Sequence, residues 1–373
     1  MLRRCCCSLP PLVLLLLSLC AWGSPQFTGS DSGGPAIGPP ELALLQQEKP
    51  PSISAASALL MDDASSTLLW TRQPGERRAP ASLTKMMTAL VVRADDPLSS
   101  VVVISSLAAG TPGSRMDVQT GQRLTVGQLL YGLILPSGND AAVALAQGTS
   151  GSVAAFVVQM NVHAQAMGLT GTHFLNPHGL DEAGHYSTAL DLATLGQAVL
   201  RDPVLAGIVQ TRQEVIRAPN GQVLFDLHNL NQLLGTYPGA DGIKTGTTAA
   251  AGENLVAADL RDGHQMIAVI LGSTDRYADA RALLDMGWAN WRWLNPQLPP
   301  LATLDSGAVD LEAEHYTGIP VPAWAADQVQ LELHVDPTLG AEVQSMHPQK
   351  VGTADWWLGD QMVGHADVVG IRG

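Results

Sequence analysis

Cysteine is nearly absent from this 373-residue chain: there are four, Cys5, Cys6, Cys7 and Cys20, all close to the N-terminus. Beyond them no thiol is left to pair, to ligate a metal or to act as nucleophile, which excludes disulfides and cysteine catalysis. Charge is scarce too, and basic charge most of all. Charged residues make up 14% of the chain, and 20 Lys and Arg face 34 Asp and Glu for a net charge of -14. Nucleic acid is excluded as a partner on that count, because phosphate binding needs a basic surface. There is no internal repeat and no second long apolar run after the one at the N-terminus. His173, His178 and His185 cluster over a short stretch, but no carboxylate–histidine spacing there matches a zinc pattern. They read as a structural loop, and no metal or cofactor is expected.

What the chain does have begins with an export signal. Arg3 and Arg4 form a basic region, residues 12–19 an apolar one, and Ala21-Trp22-Gly23 puts small residues where a signal peptidase reads. The apolar run is too short to span a bilayer. Residues 1–23 are therefore expected to be removed, giving an exported, periplasmic or extracytoplasmic protein. A lipoprotein cut before Cys20 ranks second, because Leu19 is bulky where such sites want a small residue. Residues 24–51, rich in Gly, Ser and Pro, read as a flexible linker.

Hydrophobic residues make up 46% of the chain, enough for a sizeable core. Residues 55–61 and 67–70 bracket a turn and read as a β-hairpin. A helical period follows: Leu83, Met86, Met87 and Leu90, then 126–135 behind Thr125 as N-cap, 141–147 behind Asn139-Asp140, 154–167 and 189–200. Residues 253–259 and 264–272 form a second hairpin around Arg261-Asp262-Gly263, and 280–293 reads as a closing helix before the break at 296–300. The expected fold is α/β of the α+β kind: an antiparallel sheet assembled from both ends of a domain at 52–296, flanked by helices, with a helical insertion. Residues 309–314, 328–335 and 362–369 look like short strands of a small β-rich C-terminal domain at 301–373. The tryptophans after Trp288, namely Trp291, Trp293, Trp324, Trp356 and Trp357, read as core and interdomain packing rather than a glycan platform.

The chemistry rests on three triplets. Ser82-Leu83-Thr84-Lys85 opens the first helix, and the three-residue spacing puts the Ser82 hydroxyl and the Lys85 amine on one face. A serine hydroxyl is a poor nucleophile at neutral pH, and a lysine whose pKa is lowered by burial or nearby cations can take its proton. Alone the motif is weak, since composition produces Ser-x-x-Lys roughly once by chance in a chain of this length. Ser137-Gly138-Asn139 and Lys244-Thr245-Gly246 change the weighting, because they follow in the order used by penicillin-recognising enzymes. Pro136 and Gly138 force a tight turn that exposes Ser137 and Asn139, and Lys-Thr-Gly precedes an apolar hairpin.

On these residues the chain resembles the low-molecular-mass penicillin-binding proteins of the D-alanyl-D-alanine carboxypeptidase type, over roughly residues 52–295. The run Leu129-Leu130-Tyr131-Gly132-Leu133-Ile134-Leu135-Pro136 ahead of Ser137, and Asn176-Pro177-His178-Gly179-Leu180 followed by His185-Tyr186-Ser187-Thr188, extend the likeness. The resemblance implies a β-lactamase/D,D-peptidase-like fold and a serine carboxypeptidase that trims peptidoglycan stem peptides and is acylated by β-lactams. It implies Ser82 as nucleophile, Lys85 as general base and Ser137 as proton relay to the leaving amine. The oxyanion would sit between the backbone N–H groups of Ser82 and Thr247. Asn139 would hold the substrate amide, Lys244 would keep Lys85 neutral, Thr245, with Gly246 beside it in the motif, would bind the terminal carboxylate, and Arg276 would assist. Arg281 is its neighbour or replacement.

Departures remain. Many relatives end in an amphipathic membrane helix, whereas this sequence closes at 369–373 without one, which speaks against membrane anchoring. Residues 247–252 (Thr-Thr-Ala-Ala-Ala-Gly) offer few polar groups to select a side chain, so substrate preference stays open. A D,D-endopeptidase would use the same residues. A β-lactamase needs an added glutamate to position water, and Glu182 and Glu214 sit in no matching loop. A non-catalytic peptidoglycan binder would need no nucleophile paired with a base.

Overall fold

The computed structural model describes residues 51–294, 298, 301–303, 307–314, 318–335 and 349–371. The expected signal at 1–23 and all but the last residue of the linker at 24–51 lie outside them. In chain order the described elements begin with β1 (Ser57–Asp62), β2 (Leu68–Arg72), a 3-10 turn (Ala81–Leu83) and α1 (Thr84–Asp95). Next come β3 (Val101–Val103), α2 (Ser106–Ala109), β4 (Arg123–Thr125), α3 (Val126–Ile134), α4 (Asn139–Ser150), α5 (Val153–Ala166), α6 (Ala189–Arg201) and α7 (Pro203–Gln210). The chain continues with β5 (Gln213–Arg217), β6 (Val223–His228), β7 (Ala240–Thr248), β8 (Gly252–Arg261), β9 (His264–Ser273), α8 (Arg276–Asn290) and β10 (Trp291–Leu294). It ends with β11 (Leu301–Thr303), β12 (Gly307–Ala313), β13 (Ile319–Pro322), β14 (Gln330–Val335), β15 (Gln349–Leu358) and β16 (Gln361–Ile371).

The central sheet is antiparallel in the order β2-β1-β9-β8-β7, so strands from both ends of the 52–296 stretch meet in it, as expected. Each central strand is apolar on both faces and divides its side chains by period two. On β9, Ile267, Val269 and Leu271 join a core shared with helices α1 and α3 to α7, while Met266, Ala268 and Ile270 join a second core under α8. β1 divides the same way, Leu59 and Met61 against Ala58 and Leu60. At about 1.5–3 kcal/mol for each large aliphatic side chain removed from water, these two cores hold the sheet between its helical layers. The Asp279 carboxylate ties the start of the domain to α8, accepting from Ser54 N, Ser54 Oγ, Ala55 N and Ser273 Oγ.

α3 starts where the sequence places it, behind a capping box in which Thr125 and Gln128 bond reciprocally. Three expectations need correction. α4 begins at Asn139 rather than Ala141, because Asp140 turns its carboxylate back onto the N–H groups of Met116, Asp117, Val118 and Ala141. The closing helix runs over Arg276–Asn290, and Trp291–Leu294 leave it to pair with β13. Alternation decides this: Trp291 is buried in the core under α8, and the Trp293 indole stacks on His264 and donates to Asp62 Oδ1 at 2.7 Å. Lys244-Thr245-Gly246 does not merely precede a hairpin but lies within the edge strand β7.

The C-terminal region is β-rich, with a sheet ordered β11-β12-β16-β15-β14. Leu311, Val351, Ala354, Trp356, Ala366 and Val368 share its core with Ile319 and Val321 of β13. The β10–β13 pair joins this region to the end of the helix that closes the first one.

Candidate active site

Ser82 lies in the 3-10 turn and Lys85 at the start of α1. Lys85 is completely buried, and its Nζ lies 2.8 Å from Ser82 Oγ, 2.7 Å from Asn139 Oδ1 and 2.8 Å from the His178 carbonyl. The Asn139 amide is oriented by its other end, where Nδ2 donates to Pro112 O at 2.7 Å. Asn139 Oδ1 and His178 O can only accept. A neutral amine has two N–H bonds and one lone pair, so both N–H bonds go to those carbonyls and the lone pair is left facing the Ser82 hydroxyl. Burial first, and the charge of Lys244 second, hold Lys85 well below the usual lysine range, against a smaller opposing pull from Asp140. The lowered pKa favours the neutral amine, and in that form the geometry poises Lys85 to accept the serine proton.

Ser137 follows α3 with a left-handed backbone, φ 61°, a conformation that costs a non-glycine residue on the order of 1–3 kcal/mol. It is held there by the two residues that follow it, since Gly138 N donates to Gly132 O and Asn139 N to Ser114 O. The strain directs a hydroxyl that is 2% exposed and has no hydrogen-bond partner among the described residues into the cleft. A buried, unpartnered hydroxyl is costly unless something else completes it.

The third wall is β7, the edge of the sheet, where alternate backbone N–H groups have no ladder partner. It packs against the 3-10 turn so closely that a Cβ on Gly246 would meet Ser82 N at 3.0 Å and Pro80 O at 3.1 Å. Lys244 is 2% exposed and pushed down to about 7, by burial first and by Arg276 second. Ser82, Ser137, Thr245, Thr247, Glu253 and Arg276 line a cleft of about 480 Å³.

Arg276 opens α8 and lies in the cleft, with its Nη2 donating to Thr247 Oγ1 and its Nη1 to the Gly246 and Asn254 carbonyls at 2.9 and 3.1 Å. Arg281 is not its replacement: it bonds to Thr236 O and Oγ1, on the outer surface. Asn139, expected on the substrate, is 3% exposed and spends both ends of its amide on Lys85 and Pro112. In this structure it orients the Lys85 amine.

Sequence reasoning missed three contributors. The His178 carbonyl reaches Lys85 because Asn176 Oδ1 accepts from Gly179 N at 2.7 Å and Thr88 Oγ1 donates to Pro177 O at 2.6 Å. Asp140 stabilises the loop whose Pro112 carbonyl holds Asn139, and the Asn-Asp pair at a helix start was the available signal. Glu253 enters the cleft and pairs with Arg276. The three histidines are used locally: His173 Nδ1 bonds Gly184 O, His178 Nδ1 accepts from Leu180 N, and His185 bridges Leu175 N and Thr84 Oγ1. Glu182 accepts from Asn176 within the same loop, and Glu214 lies on β5.

Residues 45–275 match the family model described as D-alanyl-D-alanine carboxypeptidase. Among curated proteins, the chain is 37% identical over 232 residues to D-alanyl-D-alanine carboxypeptidase DacF of Bacillus subtilis, covering 60% of this chain and 59% of the relative. It is 35% identical over 315 residues to D-alanyl-D-alanine carboxypeptidase DacC of Escherichia coli, covering 77% and 76%. Among solved structures, penicillin binding protein 5 from Haemophilus influenzae superposes with a TM-score of 0.70 at 30% identity, over 87% of this chain and 98% of that one.

Proposed function

The chain belongs to the D-alanyl-D-alanine carboxypeptidase family, and from that premise we propose that it is a serine D,D-carboxypeptidase that removes the terminal D-alanine from peptidoglycan stem peptides and is acylated by penicillins. One observation carries this reading: Lys85 is buried with two of its three Nζ contacts committed to pure acceptors, which leaves its lone pair for Ser82. A structural lysine has no use for that arrangement.

Lys85 takes the proton as Ser82 Oγ bonds to the carbonyl carbon of the penultimate D-alanine. The backbone N–H groups of Ser82 and Thr247, brought together across Gly246, hold the resulting oxyanion as fixed dipoles, a contribution worth on the order of 10²–10³ in rate per donor. Ser137, whose buried hydroxyl has no partner among the described residues, passes a proton to the departing amine as the carbon–nitrogen bond breaks. The D-alanine leaves an ester on Ser82, which water hydrolyses. Thr245, Thr247 and Arg276 receive the substrate's terminal carboxylate, and the charge of Lys244 keeps Lys85 neutral. Residues 52–296 form the catalytic domain and 301–373 a second domain, and the protein acts outside the cytoplasm, where such peptides are exposed.

The test uses labelled penicillin and a pentapeptide ending in D-Ala-D-Ala, with covalent mass gain and released D-alanine measured for the wild type and Ser82→Ala. The expected result is a Ser82-dependent adduct together with D-alanine release. Rapid penicillin turnover would move the assignment to a β-lactamase, and no adduct in the wild type would sink the catalytic reading.

A further inference from the structure

The cleft contains a carboxylate of its own at the place where a substrate carboxylate is to be received. Glu253 and Thr247 are direct partners in the β8–β7 ladder, so their side chains rise from the same face of the sheet. Arg276, at the first position of α8, closes over both. Glu253 Oε2 accepts from the Arg276 backbone N at 3.1 Å and from its Nε at 3.2 Å. With Nη1 on the Gly246 and Asn254 carbonyls and Nη2 on Thr247 Oγ1, four of the five guanidinium N–H groups have partners among the described residues.

We infer that Glu253 is a specificity-determining residue that weakens the enzyme's grip on a free terminal carboxylate by partly neutralising Arg276; the inference rests on the carboxypeptidase reading above. Glu253 is not needed to hold the arginine. Arg276 is 9% exposed and is fixed by two carbonyls and Thr247 without it, whereas the Glu253 side chain is 38% exposed and faces the cleft. Asp275, the N-cap of α8, adds a second acid to the same lining. An arriving carboxylate meets Arg276 with two acids beside it, so an end that carries no charge is disfavoured less than an unopposed arginine would make it. The chain thereby tolerates donor peptides whose C-terminus is extended or capped.

The experiment measures KM for two peptides alike except that one ends in D-Ala-D-Ala carboxylate and the other in its carboxamide, in the wild type and in Glu253→Gln. The glutamine keeps an acceptor for the two Arg276 N–H groups and removes the charge. The expected result is a wild type that prefers the acid-ended peptide by less than about tenfold, and a variant in which KM for that peptide drops about two- to fivefold relative to the amide. A wild type that already prefers the acid by about a hundredfold or more overturns the inference whether or not the variant folds, and so does an acid-to-amide KM ratio that is unchanged or rises in a variant that still forms the penicillin adduct. Absence of both adduct and D-alanine release in the wild type would instead strike the carboxypeptidase reading itself.

Discussion

Two lysines of the same type do different work because one is read by the other. In the proposed mechanism Lys85 serves only while neutral, and Lys244 lowers its pKa by repulsion while holding its own proton up to about 7. The sign follows directly: removing the charge at Lys244 lets the Lys85 pKa rise, so more acid-side activity is lost. Lys244→Gln is expected to move the acid limb of the kcat/KM profile to higher pH and to lower its plateau by about 10- to 100-fold. A limb that stays in place would show that burial alone sets Lys85. At this scale the sequence was informative about which side chains come together, because Ser82, Lys85, Ser137 and Lys244 sit in an ordered set of short motifs. It was silent on what Asn139 bonds to, since Pro112 and Lys85 reach it from 27 and 54 residues away.

The elements meet at the site through close backbone approaches more than through side-chain pairs. Gly179, at φ 88°, lies so near the 3-10 turn that a Cβ there would sit 1.8 Å from the Ala81 carbonyl oxygen. A side chain at Gly179 would therefore push the 176–180 loop away from Ser82 and withdraw the His178 carbonyl from Lys85. Displacements near 1 Å in a catalytic group cost about 10²-fold. Gly179→Ala is expected to slow penicillin acylation by at least about that factor and to lower the melting temperature, measured by stopped-flow mass gain and calorimetry; an acylation rate within about threefold of the wild type would show that the loop is not a support for the base. Elements with a local signature were legible, such as α3 behind Thr125 and the β8–β9 hairpin around Asp262-Gly263. β7 was not recognised as a strand, because Gly242, Lys244 and Gly246 break the apolar alternation and only pairing to β8 extends them. The helix end at Asn290 was displaced because Trp291 and Trp293 gain more from β13 and the core than from another helical turn.

For the molecule as a whole, the scarcity of basic groups and the buried titratable residues set how stability answers to acid. His178 and His185 are both held down to about 4, in each case by burial first. Their ring nitrogens are also committed as acceptors: the Nδ1 atoms receive the N–H groups of Leu180 and Leu175, at 3.2 and 3.0 Å. Between about 6.5 and about 4 the unfolded chain therefore binds protons that the folded chain refuses, and stability falls as pH falls through that window. Asp241 works in the opposite direction. Burial and the nearby Asp259 raise it to about 6, so the folded chain takes up its proton before the unfolded chain does and recovers stability over part of the same range. The wild-type curve is a difference between these terms, and a single substitution separates them. In His185→Gln the amide can accept from Leu175 N and donate to Thr84 Oγ1 while carrying no proton to lose or gain. Its stability relative to the wild type is expected to improve on going from pH 7 to pH 5, by on the order of 2 kcal/mol, read from urea unfolding at each pH. If the offset between the two proteins is the same at both pH values, His185 titrates alike in the folded and unfolded chains, and the acid sensitivity of the fold must be assigned to other groups.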